Sequence, residues 1–158
     1  MRHKKVVKRI TPPDIIYSNR VVAKLINRIM KDGKKTVAEK QVYQAFAILG
    51  KKKEEDPVAL FERAVATVGP KIEVKARRVG GASYQIPIEV RGDRRQALAI
   101  RWLITAATAR PNKEYHAFSE KLAAEILDIL EGKGDAIKKR DTMQRMADAN
   151  KAFAHFRW

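Results

Sequence analysis

The sequence predicts a mainly α, single-domain fold of about six helices, with a two-stranded antiparallel β-hairpin protruding between the third and fourth. Three observations predict it. Apolar residues recur with a period of about 3.6 along most of the chain, and between 71 and 91 the period drops to about 2 before the helical spacing returns. No long linker or fixed-period repeat divides the 158 residues, and the 45% that are hydrophobic suffice for one core.

Residues 1–13 carry Arg2, Lys4, Lys5, Lys8 and Arg9 with no acid, and end at Pro12-Pro13. They bury too little apolar surface to fold alone, so they read as a basic N-terminal arm that orders on a polyanion, with a solvated tail as the plainer alternative. The remainder, 14–158, is the helical domain. Val22, Leu25, Ile26, Ile29 and Met30 recur at helical spacing over 19–30, and Asp32-Gly33 stops that first helix. Thr36, with Glu39 three residues on, forms a capping box for the second. Its stripe of Ala38, Val42, Ala45, Phe46 and Leu49 runs to Gly50 and leaves Lys34 and Lys35 exposed at the entry. Asp56 before Pro57 starts the third helix, which lines up Leu60, Phe61, Ala64, Val65 and Val68 until Gly69-Pro70.

At Lys71 the pattern changes. Ile72, Val74 and Ala76 alternate with Glu73, Lys75 and Arg77, then Gly80-Gly81 interrupts, then Tyr84, Ile86, Ile88 and Val90 alternate with Gln85, Pro87 and Glu89. This is a β-ribbon over 71–91 whose glycine turn needs positive φ. Pro87 has no N–H to donate, so its strand requires an unpaired edge. A lone hairpin is marginal in water, which places the ribbon base on helices and leaves its tip for a partner. Asp93 with Gln96 opens a fourth helix reaching about 109, along which Arg94, Leu98, Arg101, Thr105 and Thr108 share one arc. The fifth helix carries Phe118, Leu122, Ile126 and Ile129 to a stop at 132–134, and Asp135 caps a sixth that bears Lys138, Lys139, Arg140 and Arg145. A C-terminal segment, 151–158, ends in Phe153, His155, Phe156, Arg157 and Trp158.

Charge narrows the function classes. Lys and Arg number 34 against 18 acids, a net +16, and the isoelectric point is near 10.3. Such an excess gains free energy by displacing counterions from a polyanion, so nucleic acid is the first candidate partner. No apolar run is long enough to span a bilayer and the basic N-terminus lacks the apolar core of a signal peptide, so a soluble, non-membrane protein is expected. There are no cysteines, which excludes disulfides and thiolate metal sites.

Catalytic chemistry is not legible. His3, His116 and His155 stand apart from one another and from any metal-like spacing, so no metal site is expected. Gly33-Lys34-Lys35 lacks the earlier glycine and the hydroxyl residue of a phosphate loop, and Gly80-Gly81 lacks the third glycine of a dinucleotide site. No nucleophile with an adjacent base can be assembled, so neither an enzyme nor a cofactor is expected. Basic groups instead gather in six places: the arm, Lys34-Lys35, the ribbon with Lys75, Arg77 and Arg78, Arg91, Arg94-Arg95 with Arg101, and the sixth helix. Any one is ordinarily a solvated face, but together they point to an RNA-holding surface. Tyr84, near the ribbon tip, either stacks on a base or packs within the hairpin.

Several stretches resemble a known family. The segment 27–35 ends in Asp32-Gly33-Lys34-Lys35, and 74–91 contains Arg77-Arg78-Val79-Gly80-Gly81 and Tyr84-Gln85-Ile86-Pro87. Arg94-Arg95, Ala97-Leu98-Ala99 and Arg101-Trp102 follow, and 145–158 closes on Ala152-Phe153-Ala154-His155-Phe156-Arg157-Trp158. Over nearly the whole chain these resemble the small-subunit ribosomal protein number seven family, in its bacterial or organellar form. Phe156 stands where the family commonly has tyrosine, and Met143-Gln144 where a more polar pair is usual.

The resemblance implies a non-catalytic constituent of the small ribosomal subunit that acts in translation. It implies a primary rRNA-binding protein of the 3′ major domain that nucleates head assembly, with the ribbon near the tRNA exit site and the mRNA path. Arg2, Lys4, Lys5, Lys8, Arg9, Lys34, Lys35, Arg94, Arg95, Arg101, Lys138, Lys139 and Arg140 would then hold rRNA. Lys75, Arg77, Arg78, Gly80, Gly81 and Tyr84 would serve the tRNA and mRNA region, and the C-terminal segment would face ribosomal protein number eleven among other head proteins. The expected location is the small subunit of a cytoplasmic or organellar ribosome. A rival class is an architectural DNA-binding protein with a basic two-stranded arm, although Gly80-Gly81 offers no apolar wedge to insert between bases. An RNA-modifying enzyme is a third class, and would need a cofactor loop or base that is not found.

Overall fold

A computed structural model describes residues 10–156, apart from the side chain of Val79. Within it six α-helices and a short 3-10 helix surround one core, and a two-stranded sheet projects between the third and fourth helices: α1 Arg20–Ile29, α2 Lys35–Lys53, α3 Pro57–Val68, β1 Ile72–Val79, β2 Ala82–Glu89, α4 Gly92–Ala109, α5 Phe118–Leu130, α6 Asp135–Ala149 and the 3-10 helix Lys151–Phe156. The mainly α fold with its hairpin is as the sequence predicts. The N-terminal arm cations Arg2, Lys4, Lys5, Lys8 and Arg9, and the terminal Arg157 and Trp158, lie outside the described residues.

Two helix starts follow the sequence signals closely. Asn19 Oδ1 accepts from the backbone N–H groups of Val21 and Val22 at 2.7 and 3.3 Å, and Asp56 accepts from Val58 N at 3.1 Å. Each supplies an acceptor to N–H groups that have no partner inside the helix. Four other signals misplace an end. Thr36 lies inside α2, whose N-cap is Lys34 with no side-chain cap, and the helix continues through Gly50 to Lys53. It stops where Glu54 enters the left-handed region at φ 52, after three lysines that suit the negative end of the helix dipole. Asp93 and Asp135 likewise sit in the first turn rather than at the cap, which is Arg91 for α4 and Gly134 for α6.

The core is a layer of helices centred on α5, which packs against α2, α3, α4 and α6 and buries nearly every side. Phe46, Phe61, Leu25, Leu49, Leu60, Leu122 and Ile126 are fully buried, each contributing on the order of 1.5–3 kcal/mol relative to exposure. Full burial forces the polar side chains of α5 into contacts. Glu125 accepts from Arg110 Nε at 2.9 Å and Nη2 at 2.7 Å, and from Ala136 N at 3.2 Å where α6 begins. Arg110 also bonds Asp128. Burial works against its charge, but the hydrogen bonds to Asp128 and Glu125 prevail and raise its pKa. Gly134 permits this closure: it has φ 102, and a Cβ there would lie 2.9 Å from Glu125 Oε1.

The ribbon is a two-residue hairpin with Gly80 and Gly81 at φ 57 and 93, the left-handed values such a turn demands. Its register sets Glu73 opposite Ile88, Lys75 opposite Ile86 and Arg77 opposite Tyr84. Directly opposed residues share a face, so the apolar row of β2 lies beside the charged row of β1. Among the described residues no further strand pairs with either outer edge, which accommodates Pro87. The ribbon rests on α6 and the 3-10 helix, with Ile86 fully buried.

Candidate nucleic-acid interface

The exposed arc of α4 is the best-defined cationic feature. Arg94, Ala97, Arg101, Thr105 and Thr108 are exposed on it, while Ala99, Leu103 and Ala106 face the core. Between Arg94 and Thr108, about 21 Å of helix, the sequence of α4 contains no acid. At its start Arg94 stands over the ribbon base, its Nε donating to Glu73 Oε1 and Oε2 at 2.8 and 2.7 Å. Lys75 reaches the same carboxylate at 3.2 Å. At the far end, Ile104 and Thr108 line a groove shared with Lys31 and Lys34 of the α1–α2 turn. Lys24 of α1 ties the two helices together by donating to Gln96 at 2.6 Å. A single cationic band therefore runs from Lys75 through Arg94 and Arg101 to Lys31, Lys34 and Lys35, with Glu73 at one end and Asp32 and Glu39 at the other. Lys35 makes a loose 3.5 Å pair with Glu39.

The structure does not gather every cation that the sequence singles out. Arg95 turns away from the arc: its Nε donates to Gly69 O at 3.0 Å and its Nη2 to Ala66 O at 3.3 Å. Arg140 does the same from α6, donating to Thr67 O at 3.0 Å while pairing with Asp141. Both arginines thus sit on the last carbonyls of α3, where they satisfy acceptors and complement the dipole. Gly69 makes room, since a Cβ there would lie 2.8 Å from Arg95 Cγ. Lys138 pairs with Asp135 at 2.8 Å, which raises its pKa through that hydrogen bond, and Lys139 is exposed on the same helix.

At the ribbon, Arg77, Arg78, Gly80 and Gly81 are exposed, whereas Tyr84 is half-buried. Its ring meets Phe153 at 5.2 Å and Phe156 at 5.5 Å between centroids, so the C-terminal 3-10 helix packs on it. This packing partner is more remote in sequence than the hairpin itself. Sequence reasoning also misses Lys31 and Lys24; position beside the Asp32-Gly33 stop was the available signal for the first, and none existed for the second.

Among the described residues no cluster of His, Asp or Glu is arranged to hold a metal ion, and no helix is long and apolar enough to cross a membrane. The arrangement offers point charges and guanidinium forks to phosphate along one face.

The chain is similar to known proteins along its length. The family model described as ribosomal protein S7p/S5e matches residues 1–151. The small ribosomal subunit protein uS7 of Clostridium novyi (strain NT) is 55% identical over 151 residues, 96% of this chain and 95% of its own. That of Moorella thermoacetica is 52% identical over 157 residues, 99% of each chain, and that of Thermotoga maritima 51% identical over 158 residues, 100% of each.

Proposed function

This chain belongs to the ribosomal protein S7p/S5e family and is a non-enzymatic structural constituent of the small ribosomal subunit, and we propose that it acts there by gripping folded rRNA along the α4 band. The observation that carries this reading is the acid-free arc from Arg94 to Thr108, continued by Lys31 and Lys34. A rigid row of cations mounted on one helix and one turn suits a polyphosphate of fixed shape.

The finer assignment rests on the family resemblance. The RNA held is the 3′ major domain of the small-subunit rRNA, and binding it early nucleates assembly of the subunit head in a cytoplasmic or organellar ribosome. The ribbon tip, with Arg77 and Arg78, lies toward exit-site tRNA and mRNA. The C-terminal segment lies toward ribosomal protein number eleven, beside other head proteins. Arg95 and Arg140 support this surface from behind by closing α3, and Lys138 and Lys139 are peripheral to it.

The test is binding to the isolated 3′ major domain over a salt series. Replacement of Lys34 or Arg101 by alanine should weaken binding and lower the log–log salt slope by up to about one unit each. An unchanged slope in both variants would remove the band from the interface. Competition distinguishes the architectural DNA alternative: binding that yields to excess duplex DNA but not to the rRNA domain favours it.

A further inference from the structure

The groove at the end of the α4 band is apolar where its surroundings are cationic. Ile29 of α1, Val37 of α2, Ile104 of α4 and Phe118 of α5 form its walls, and Lys31 and Lys34 stand at its lip. Its volume is about 280 Å³, close to the ~300 Å³ at which small-ligand pockets begin, so it fits one ring system. Val37 is 55% exposed although it opens the buried side of α2 next to Ala38, which is 4% exposed. An apolar recess rimmed by charge on a nucleic-acid face is unlike the scattered exposed aliphatics of an ordinary surface.

We propose that this groove receives a single RNA base turned out of its stack, with the flanking phosphates held by Lys31 and Lys34. The proposal rests on the reading of the α4 band as the RNA surface and names what its far end recognises. A nucleotide is apolar on its base faces and anionic at its links, and the groove presents both complements side by side. RNA recognition of this kind takes unpaired bases, whose faces pack on apolar or aromatic walls and whose edges hydrogen-bond. Edge partners are in place. Gln41 lines the groove with its Oε1 already accepting from Ser119 N at 3.1 Å, which fixes the amide and directs its nitrogen to other acceptors. Asp32, held at φ 52, puts a carboxylate on the same lip. A carboxylate accepts from N–H, so it favours a base with an exocyclic amino group.

The first measurement is affinity of the full chain for the isolated 3′ major domain at fixed salt and across a salt series. Val37→Ser should bind about threefold more weakly, and Val37→Ser with Phe118→Leu about five- to thirtyfold, on the scale of one lost base contact. The salt slope should stay unchanged, because no phosphate contact is removed. Val37 is exposed, so the single variant carries little folding penalty and decides the matter if the double variant is unstable. Unchanged affinity, or a slope lowered by about a unit, overturns the proposal.

The second uses the absence of cysteine in the chain. Val37→Cys, labelled with a benzophenone and assembled into small subunits, should crosslink to one unpaired rRNA nucleotide. The same label at exposed Gln44 outside the groove should not. Crosslinks to a protein, or to the same set of nucleotides from both positions, overturn the proposal. Failure of the unaltered chain to bind the rRNA domain at all would instead overturn the reading on which it rests.

Discussion

Arg94 of α4 and Glu73 of β1 are joined through Nε to both carboxylate oxygens, at 2.8 and 2.7 Å, with Glu73 only 5% exposed and the Arg94 side chain 55% exposed. The same guanidinium that stands on the cationic arc also anchors the ribbon base. Its two roles predict a double effect: Arg94→Ala leaves a buried carboxylate with Lys75 as its ion-pair partner and should cost about 1–3 kcal/mol in urea unfolding. The variant should also lower the salt slope of rRNA binding by up to about one unit. Loss of slope without loss of stability would mean that Glu73 finds a full replacement donor.

Arg95 and Arg140 carry the opposite expectation. Their donors lie on Ala66, Thr67 and Gly69 at the end of α3, so alanine at either position should lower stability by about 0.5–1.5 kcal/mol while the salt slope stays put. Parallel salt titrations of Arg95→Ala and Lys34→Ala compare the two kinds of cation directly. Equal slopes for both would show that Arg95 leaves α3 when RNA arrives.

The contrast between Arg94 and Arg95 marks where the sequence stops being informative. Adjacent arginines look alike in a string of letters, but about 100° of helix rotation sends one to Glu73 at the ribbon base and the other to the carbonyls of α3. Period and punctuation were enough for the helices and the hairpin, because Asp56-Pro57, Gly69-Pro70 and Gly80-Gly81 act through local backbone chemistry. Helix ends were less legible: α2 runs through Gly50 into three exposed lysines that suit its C-terminal end, and Asp135 joins its helix because Gly134 is needed at the cap beside Glu125. The band itself was only half visible. Lys34, Arg94 and Arg101 stand out by charge, but the contact between α1 and α4 that makes them one surface, through Lys24 and Gln96, is a meeting of residues 72 apart.

The turn before α1 predicts a pH dependence. Asp14 is 7% exposed and accepts from Tyr43 Oη at 2.8 Å and from Ile16 and Tyr17 N–H groups at 3.2 and 3.1 Å. Burial first, then the bond to Asp14, raises the Tyr43 pKa well above the tyrosine value of 10.0. Because the folded state holds this proton more tightly than the unfolded chain, its stabilising effect is complete below about pH 10 and is lost as pH rises from there through the folded-state value. Tyr43→Phe should cost about 1–2 kcal/mol at neutral pH, where it orphans Asp14 Oδ1. It should also lose less stability than the parent protein between about pH 10 and 11, as read by urea unfolding at each pH. Parallel curves for the two proteins would show that Tyr43 does not govern the alkaline limb.

Aromatic contacts at the C-terminal end aim the ribbon. Tyr84 of β2 packs on Phe153 and Phe156, with ring centroids 5.2 and 5.5 Å away, and the 3-10 helix carrying them follows α6, which itself supports both strands. A hairpin of two strands has little stability of its own, so these ring contacts decide how firmly β2 is held. Aromatic pairs add about 0.5–1.5 kcal/mol beyond the area they bury. Phe153→Ala with Phe156→Ala should therefore open the ribbon locally, speeding hydrogen exchange at the backbone N–H groups of Ala82–Glu89 by roughly tenfold and leaving α3 and α5 unchanged. Phe156→Tyr keeps a ring on Tyr84 and should restore slow exchange. Affinity for rRNA should fall modestly without a change in salt slope, since the cations remain and only their direction is loosened. Exchange that speeds equally in α5 would mean that the double variant unfolds the domain as a whole, and exchange that stays slow in β2 would mean that α6 alone fixes the ribbon.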